Sequence, residues 1–271
     1  MTVKTRNRLS LGLFVIAISI FAFNALILVL RLLRGELDIA SFPNPHTGKN
    51  FLTVYNPYIA LASVYIEILY VIVSSYLLFR IFEKTQASEI IYFHLFLVSC
   101  LIDSFRLWLP LFNAFNSYSN LLVFSGNAVV FARLLIPLSL LFTVYMGDIE
   151  KRQDIEKNIF ILFCTAFFFA YFIPLNTAIT NPNFSVDYSF SFIIKITTIV
   201  VIASCTIHLF IQNHQNRRSQ ATAFGYLLIF IGIFFLFNAV SIVLIVVAVP
   251  TLTTGTVLYL KGLHNQYLWY D

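Results

Sequence analysis

TAFGYLLIFIGIFFLFNAVSIVLIVVA, residues 222–248, carries no charged side chain, and the polar interruptions in its second half are Asn238 and Ser241. A helix needs about 20 mainly apolar residues to cross the hydrocarbon core of a bilayer, so this run is read as one span, the last in the chain. Working back towards the start, six more runs of the same kind stand at roughly 10–30, 57–79, 89–110, 121–146, 158–176 and 189–211. The connections between them are too short for a further domain. The expected fold class is therefore all-α: a polytopic membrane protein, a bundle of seven transmembrane helices forming a single transmembrane domain over 1–271.

The composition agrees. Hydrophobic residues make up 59% of the chain and charged residues 11%, with a mean hydropathy of +0.86. A soluble domain is about a quarter charged, so a soluble fold could not cover this much apolar surface. The lipid bilayer is the expected environment, in a plasma membrane or a bacterial inner membrane. Lys4, Arg6 and Arg8 precede the first run as they would a signal peptide, but the run is too long and no small-residue cleavage site follows it. It is read as a retained span.

The net charge of +5 and pI near 9.1 would raise nucleic acid as a partner in a soluble protein. Here the basic residues sit in short connections between apolar runs, which is how bilayer orientation is encoded, and no nucleic-acid partner is expected. Lys4, Arg6, Arg8, Arg80, Lys84, Lys151, Arg152, Lys157, Arg217 and Arg218 fall on one side of a seven-span arrangement. Arg31, Arg34, Lys49 and Lys261 fall on the other. The rule that places positive loops inside predicts a cytoplasmic N-terminus and a C-terminus outside. Asn183-Phe184-Ser185, in the polar but nearly uncharged outer connection 176–189, forms a glycosylation sequon that matters in a eukaryotic host.

Five ionisable side chains lie well inside the runs: Glu67, Asp103, Arg106, Arg133 and Lys195. Each costs at least about 2.5–3.5 kcal/mol at a helix centre on insertion scales, so such groups face the bundle interior, pair, or line a watery cavity. Helical spacing sets Glu67 and Tyr70 on one face of the second run and Asp103 and Arg106 on one face of the third. Asn24 in the first run and Asn238 in the last are polar positions at the same outer depth. These residues are expected to converge into one outward-opening pocket. Asp103 and Arg106 can pair within their helix, Glu67 is expected to pair with Arg133, and Lys195 is left over. A buried cation without a partner loses its proton or waits for an anion. The pocket is therefore expected to take a small anionic or zwitterionic ligand, or a lipid headgroup, held by Lys195 and one arginine.

Catalytic constellations are missing from the pattern. His46, His94, His208, His214 and His264 include no i,i+4 pair, and a metal site needs three or four ligands at one depth. Asp103 has no aspartate partner at matched depth, and neither a nucleophile elbow nor a phosphate loop is present. Cys100, Cys164 and Cys205 all fall inside apolar runs and are read as reduced core residues. The layout is similar to that of heliorhodopsins, which also run N-inside with a long first outer loop. A retinal protein needs a lysine in its last span, however, and 222–248 has none, so the similarity is of layout alone. No cofactor and no catalytic residue is expected. The functional expectation is a receptor or sensor whose cytoplasmic loops 147–157 and 212–221 dock a partner. The alternatives are a transporter or channel subunit using the same charges, or a structural membrane-assembly subunit.

Overall fold

The computed structural model describes residues 3–35, 54–83, 87–115, 119–145, 154–215 and 220–268. Within these residues it is helical apart from one small hairpin. Helix α1 spans Val3–Leu33, α2 Pro57–Ile81, and α3 Glu89–Leu111 with a tight 3-10 turn at Ser104–Leu107. Helix α4 spans Asn120–Tyr145 and α5 Ile155–Phe172. Strands β1 (Leu175–Thr180) and β2 (Val186–Tyr188) pair antiparallel, with Leu175 opposite Tyr188 and Asn176 opposite Asp187. Helices α6 (Ser191–Gln215), α7 (Ala221–Phe237) and α8 (Ile242–Leu268) complete the chain.

Among the described residues there are thus eight long helices where seven spans were expected, and seven of them are long and apolar enough to cross a membrane. The difference lies in 222–248. That run is two helices broken at Asn238–Ser241, and the second continues to Leu268. Helix α7 has 17 residues, a length of about 25 Å at the α-helical rise. The connection 176–189, expected as an outer loop, holds all but the first residue of the β-hairpin.

Four glycines explain how a short helix can lie along a long one. A Cβ on Gly225 would come 2.5 Å from the Tyr259 backbone nitrogen, one on Gly232 would come 2.7 Å from Leu252 Cα, and one on Gly255 would come 2.7 Å from the Ile229 nitrogen. A Cβ on Gly262 would strike the Thr222 methyl. As the partner's number rises along α7 it falls along α8, so the two helices are antiparallel with their backbones in contact from end to end. In lipid no hydrophobic drive brings helices together, and small residues that allow such close packing supply the attraction instead.

The antiparallel hairpin also returns the chain to the end of the bundle where it starts. Arg6 donates to the Phe82 carbonyl at the end of α2, and the His264 ring meets the Phe82 ring edge-on at 5.6 Å. Ser10 on α1 bonds His94 Nε2 on α3 at 2.5 Å, and His94 Nδ1 donates to the Ile90 carbonyl. Seven crossings would set the two termini at opposite ends of the bundle; here the start of α1 and the end of α8 share one end. Lys261 moves with them and joins the more basic end.

Helix α3 is the axis, with 83% of its apolar window buried against 17% in each of α1, α5 and α6. Helix α5 turns Leu162, Ala166 and Ala170 inward at four-residue spacing and exposes Phe160, Phe167, Phe168 and Phe172. That is the pattern of a rim helix whose other face is solvated by lipid tails. Cys164 lies on this exposed side, whereas Cys100 and Cys205 are buried core residues.

Replacing Gly232 with Leu is expected to destabilise the protein by about 1–3 kcal/mol, because the backbones must separate to admit the side chain. Gly12→Ala, at a position with nothing within 4 Å, serves as the neutral control. Thermal unfolding followed by size-exclusion fluorescence in detergent reads both. Equal melting temperatures for the two variants would contradict the packing described.

Candidate functional site

At the end of the bundle opposite the start of α1, four of the five charges expected inside the spans meet; the fifth, Lys195, is exposed on α6. The 3-10 turn at Ser104–Leu107 matters here, because residues three apart eclipse in that geometry and Asp103 and Arg106 face the same side. Arg106 Nη2 donates to Glu67 Oε2 at 2.9 Å, and Arg106 Nε lies 3.0 Å from Asp103 Oδ2. The second contact is close but poorly aligned, so it is a Coulombic contact and not a directed hydrogen bond. Arg133 Nε on α4 donates to Asp103 Oδ1 at 3.2 Å. Glu67, Asp103 and Arg106 have side chains 0% exposed, and Arg133 is 14% exposed. Two carboxylates and two guanidiniums make the set neutral when all are ionised.

The expected pairing of Asp103 with Arg106 is thus present. The expected pairing of Glu67 with Arg133 is not. Glu67 takes Arg106, and Arg133 takes Asp103. Residue spacing shows which face of a helix a side chain occupies but not how two helices are rotated against each other, and that rotation chose the partners.

Arg106 also holds the break in 222–248. The last carbonyls of a helix lack intrahelical partners, and in a dry interior they must find others. Phe237 O accepts from Arg106 Nη1 at 2.9 Å and from Asn183 Nδ2 at 2.8 Å. Phe234 O accepts from Asn238 Nδ2 at 2.8 Å. The Asn238 and Ala239 amides close onto Phe235 O and Leu236 O, and Val240 O accepts from the Asn56 amide. Every carbonyl the break would orphan from Phe234 to Phe237 has a partner. A guanidinium at a helix C-terminus is also favoured by the helix dipole. Both guanidiniums also lie over the Phe237 ring, with Arg106 Cζ 5.7 Å and Arg133 Cζ 5.8 Å from its centroid.

The β-hairpin plugs this end. Phe184, at a backbone φ of 65°, is wholly buried among Ala60, Leu61, Val64, Leu107 and Leu111. Asn183 O accepts from Arg106 Nη1 at 3.3 Å, and Asn183 Oδ1 accepts from the Ser185 hydroxyl at 2.8 Å. A Cβ on Gly126 would come 2.8 Å from Leu175 Cδ1, so β1 rests directly on α4 there. The sequon Asn183-Phe184-Ser185 is therefore not an accessible glycan acceptor in the folded chain, since its asparagine and serine are 7% and 1% exposed. Asn183, Phe184, Tyr188 and Phe237 were all missed as site residues from sequence. The only signal was the apolar alternation of Phe184, Val186 and Tyr188, which is too short to mark a strand.

Beside the ion cluster are two cavities that share Arg133, Tyr188, Lys195 and Asn238 in their walls. The outer one, of about 240 Å³, is polar; Asn181, Asn183, Ser185, Asp187 and Ser191 also line it. The inner one, of about 60 Å³, lies between α4, α6 and α7, and its walls are mainly Ile136, Pro137, Ile194, Ile233, Phe234 and Phe237. No family model, no curated protein and no solved structure matches the chain. The site has to be read from its own chemistry.

Lys195, exposed on α6, lines the polar cavity together with Arg133 and stands outside the ion cluster. Asn238 both caps α7 and lines the cavity. The other two expected site residues are elsewhere. Asn24 donates to Ile20 O of its own helix at 2.9 Å, and its carbonyl accepts from the Tyr65 hydroxyl at 3.0 Å, so it belongs to the seam between α1 and α2. The Tyr70 hydroxyl is 2.9 Å from Thr256 Oγ1 and ties α2 to α8.

Asp103→Asn is expected to cost about 3–5 kcal/mol, because it takes the carboxylate from Arg133 and leaves Arg106 with Glu67 alone. Tyr70→Phe, which removes one hydrogen bond outside the cluster, is expected to cost about 0.5–1.5 kcal/mol. Melting temperatures of the purified variants should rank in that order, and the reverse ranking would refute the central place given to the cluster.

Proposed function

We propose that this protein is a multi-pass membrane protein of receptor or sensor type that binds a small anionic or zwitterionic ligand, or a lipid headgroup, in the polar cavity beside the hairpin. The observation that carries the reading is the pairing of charges around that cavity. Arg133 and Lys195 both line it, Arg133 already contacts Asp103, and among the described residues Lys195 has no ion-pair partner. A cation in a partly dry cavity gains most from an incoming anion, since the attraction is stronger there than in water. Asp187 lines the same cavity and would meet the ammonium of a zwitterion.

The floor of the cavity favours binding over passage. One turn below the inner walls, Leu140, Ile202 and Ile229 are buried together in the main apolar cluster, which continues to Tyr226 and Leu263 near the far end. A transport or conduction route would need polar lining through that depth, so the closed floor argues against the transporter reading.

Orientation rests on the basic residues. Taking α7 and α8 as separate crossings sets Lys261 on the side of Lys4, Arg6, Arg8 and Arg80, with Arg31 and Arg34 opposite. By the positive-inside rule both ends of the described chain face the cytoplasm and the cavity opens outward. The proposed output surfaces are loops 147–157 and 212–221. Their segments 146–153 and 216–219 lie outside the described residues, as does Lys84. Tags fused at each terminus are expected to react from the same side of sealed right-side-out vesicles, the inner one. Labelling from opposite faces would restore an odd number of crossings.

Wild-type protein is expected to melt higher in phosphate or glutamate than in chloride at equal ionic strength, by about 1.4 kcal/mol of stabilisation at ten times the dissociation constant. Lys195→Met, on the exposed side of α6, is expected to fold normally and lose that increment. Equal anion responses in the two proteins would remove Lys195 from the site.

A further inference from the structure

We infer that the cleft between α1 and α2 at the basic end of the bundle binds one anionic phospholipid, with its phosphate between Lys4 and Arg8 and an acyl chain on Leu11 and Phe79. The site is separate from the cavity beside the hairpin and does not depend on the reading given to that cavity.

The first turns of α1 send their polar side chains two ways. Arg6 is buried, donates to the Phe82 carbonyl just past α2, and also donates to Asn7 Oδ1 at 3.0 Å. Asn7 Nδ2 donates in turn to the Glu83 carbonyl at 2.9 Å. These bonds fix the start of α1 against the end of α2. Lys4 and Arg8 lie one turn apart on another face. Both are exposed, and among the described residues neither has an ion-pair partner. With Asn7, Leu11 and Phe79 they line an open cleft of about 510 Å³.

Depth decides what can reach the cleft. The stretch Leu9–Leu30 carries no charged side chain, and as a helix it is about 33 Å long, close to the thickness of the hydrocarbon core. Arg8 therefore stands at the edge of that core, and Lys4 one turn further out, at the level of the phosphates. Helical side chains lean towards the N-terminus of their helix, which here is the direction of the headgroups. Leu11 lies just inside the edge. Below it the Tyr76 ring is 5.9 Å from the Phe14 ring, so the seam between α1 and α2 stays apolar beneath the cleft.

Bilayer lipid covers Leu11 and Phe79 whatever its headgroup, and the two cations select among lipids. Glu83 is exposed and outside the wall of the cleft, and Arg80 adds a third cation beside Phe79. A choline headgroup brings a cation of its own to this basic rim, whereas a glycerol headgroup leaves the phosphate charge free to meet it. Setting the orientation of the chain needs the charges alone. It does not need them grouped with Leu11 and Phe79 in one cleft, which is the form of a basic headgroup pocket between helices.

The test uses the full chain in detergent, with phospholipid added back and bound lipid counted by native mass spectrometry. Phosphatidylglycerol is expected to bind about tenfold or more tighter than phosphatidylcholine of the same chains. Lys4→Gln combined with Arg8→Gln is expected to lower phosphatidylglycerol affinity about twenty-five-fold, roughly fivefold for each cation, and to leave phosphatidylcholine unchanged. Lys157→Gln combined with Lys261→Gln removes two exposed cations from the same end, on α5 and α8, and is expected to keep wild-type affinity. Should the first pair prevent folding, Arg8→Gln alone, which leaves Lys4 in place, is expected to lose about fivefold. Glycerol 3-phosphate in molar excess, a headgroup without acyl chains, is expected not to displace the lipid.

An equal loss in the two double variants assigns the effect to the general charge of this end and overturns the cleft. Phosphatidylglycerol affinity unchanged by removal of Lys4 and Arg8, or of Arg8 alone, overturns it as well. Displacement by glycerol 3-phosphate assigns the two cations to a free phosphate and overturns the lipid.

Discussion

The arrangement at this end of the bundle depends on the Arg106 guanidinium. It is wholly buried and joins four parts of the chain: Glu67 on α2, Asp103 on its own helix, Asn183 O at the hairpin tip and Phe237 O at the end of α7. The geometry suits arginine in particular. A planar guanidinium points its N–H groups in several fixed directions, whereas a lysine ammonium offers three donors from a single point. The same side chain neutralises two carboxylates and caps a helix that ends inside the apolar layer. Without it, α7 would end on a carbonyl with one partner fewer, and two carboxylates would lose their nearest positive charge.

This explains why the break at Asn238–Ser241 was hidden in the sequence. Nothing between Thr222 and Ala248 is a strong helix breaker, and a lone asparagine is tolerated in an apolar helix. The break is made by groups far away in the chain: Arg106, Asn183 and, through the Val240 carbonyl, the Asn56 amide. Local propensity does not contain them. The glycine spacing does carry a trace. Gly225 and Gly232 are seven apart, as are Gly255 and Gly262, which is the period of a continuous helical seam. The trace becomes readable only when the two sets are placed on separate helices.

What was legible follows the same division. Six of the apolar runs are properties of composition and spacing, and they stand in the structure as helices with boundaries shifted by a few residues, with four of the five expected charges brought together between them. The partners of those charges depend on helix rotation, so Glu67 was assigned to the wrong arginine. Asn24 and Tyr70 were at a suitable depth but face other seams, where the Asn24 side-chain amide N–H and the Tyr70 hydroxyl each bond a neighbour. Depth is encoded along the chain, and azimuth is not. The hairpin was lost for another reason. Its strands are short, and Phe184 and Asn183 gain their roles only by inserting into a bundle built from distant helices.

Rotation also changes what the charge count means. Counted together, the five intramembrane groups carry one net positive charge, which suggests a pocket that is cationic throughout. In space they separate. Glu67, Asp103, Arg106 and Arg133 form a neutral set held under the hairpin, and of the five only Lys195 stands outside it, lining a cavity whose wall also holds Asp187. A neutral buried set is suited to fixing helix register, since each member would be costly to leave unpaired. A single surplus charge on a rim helix is not needed for that purpose, because α6 is little buried and its lysine contacts no carboxylate among the described residues. The charges that hold the fold and the charge available to a ligand are therefore different residues. Arg133 is the member they share: its Nε faces Asp103, and its Nη2 is buried without a hydrogen-bond partner.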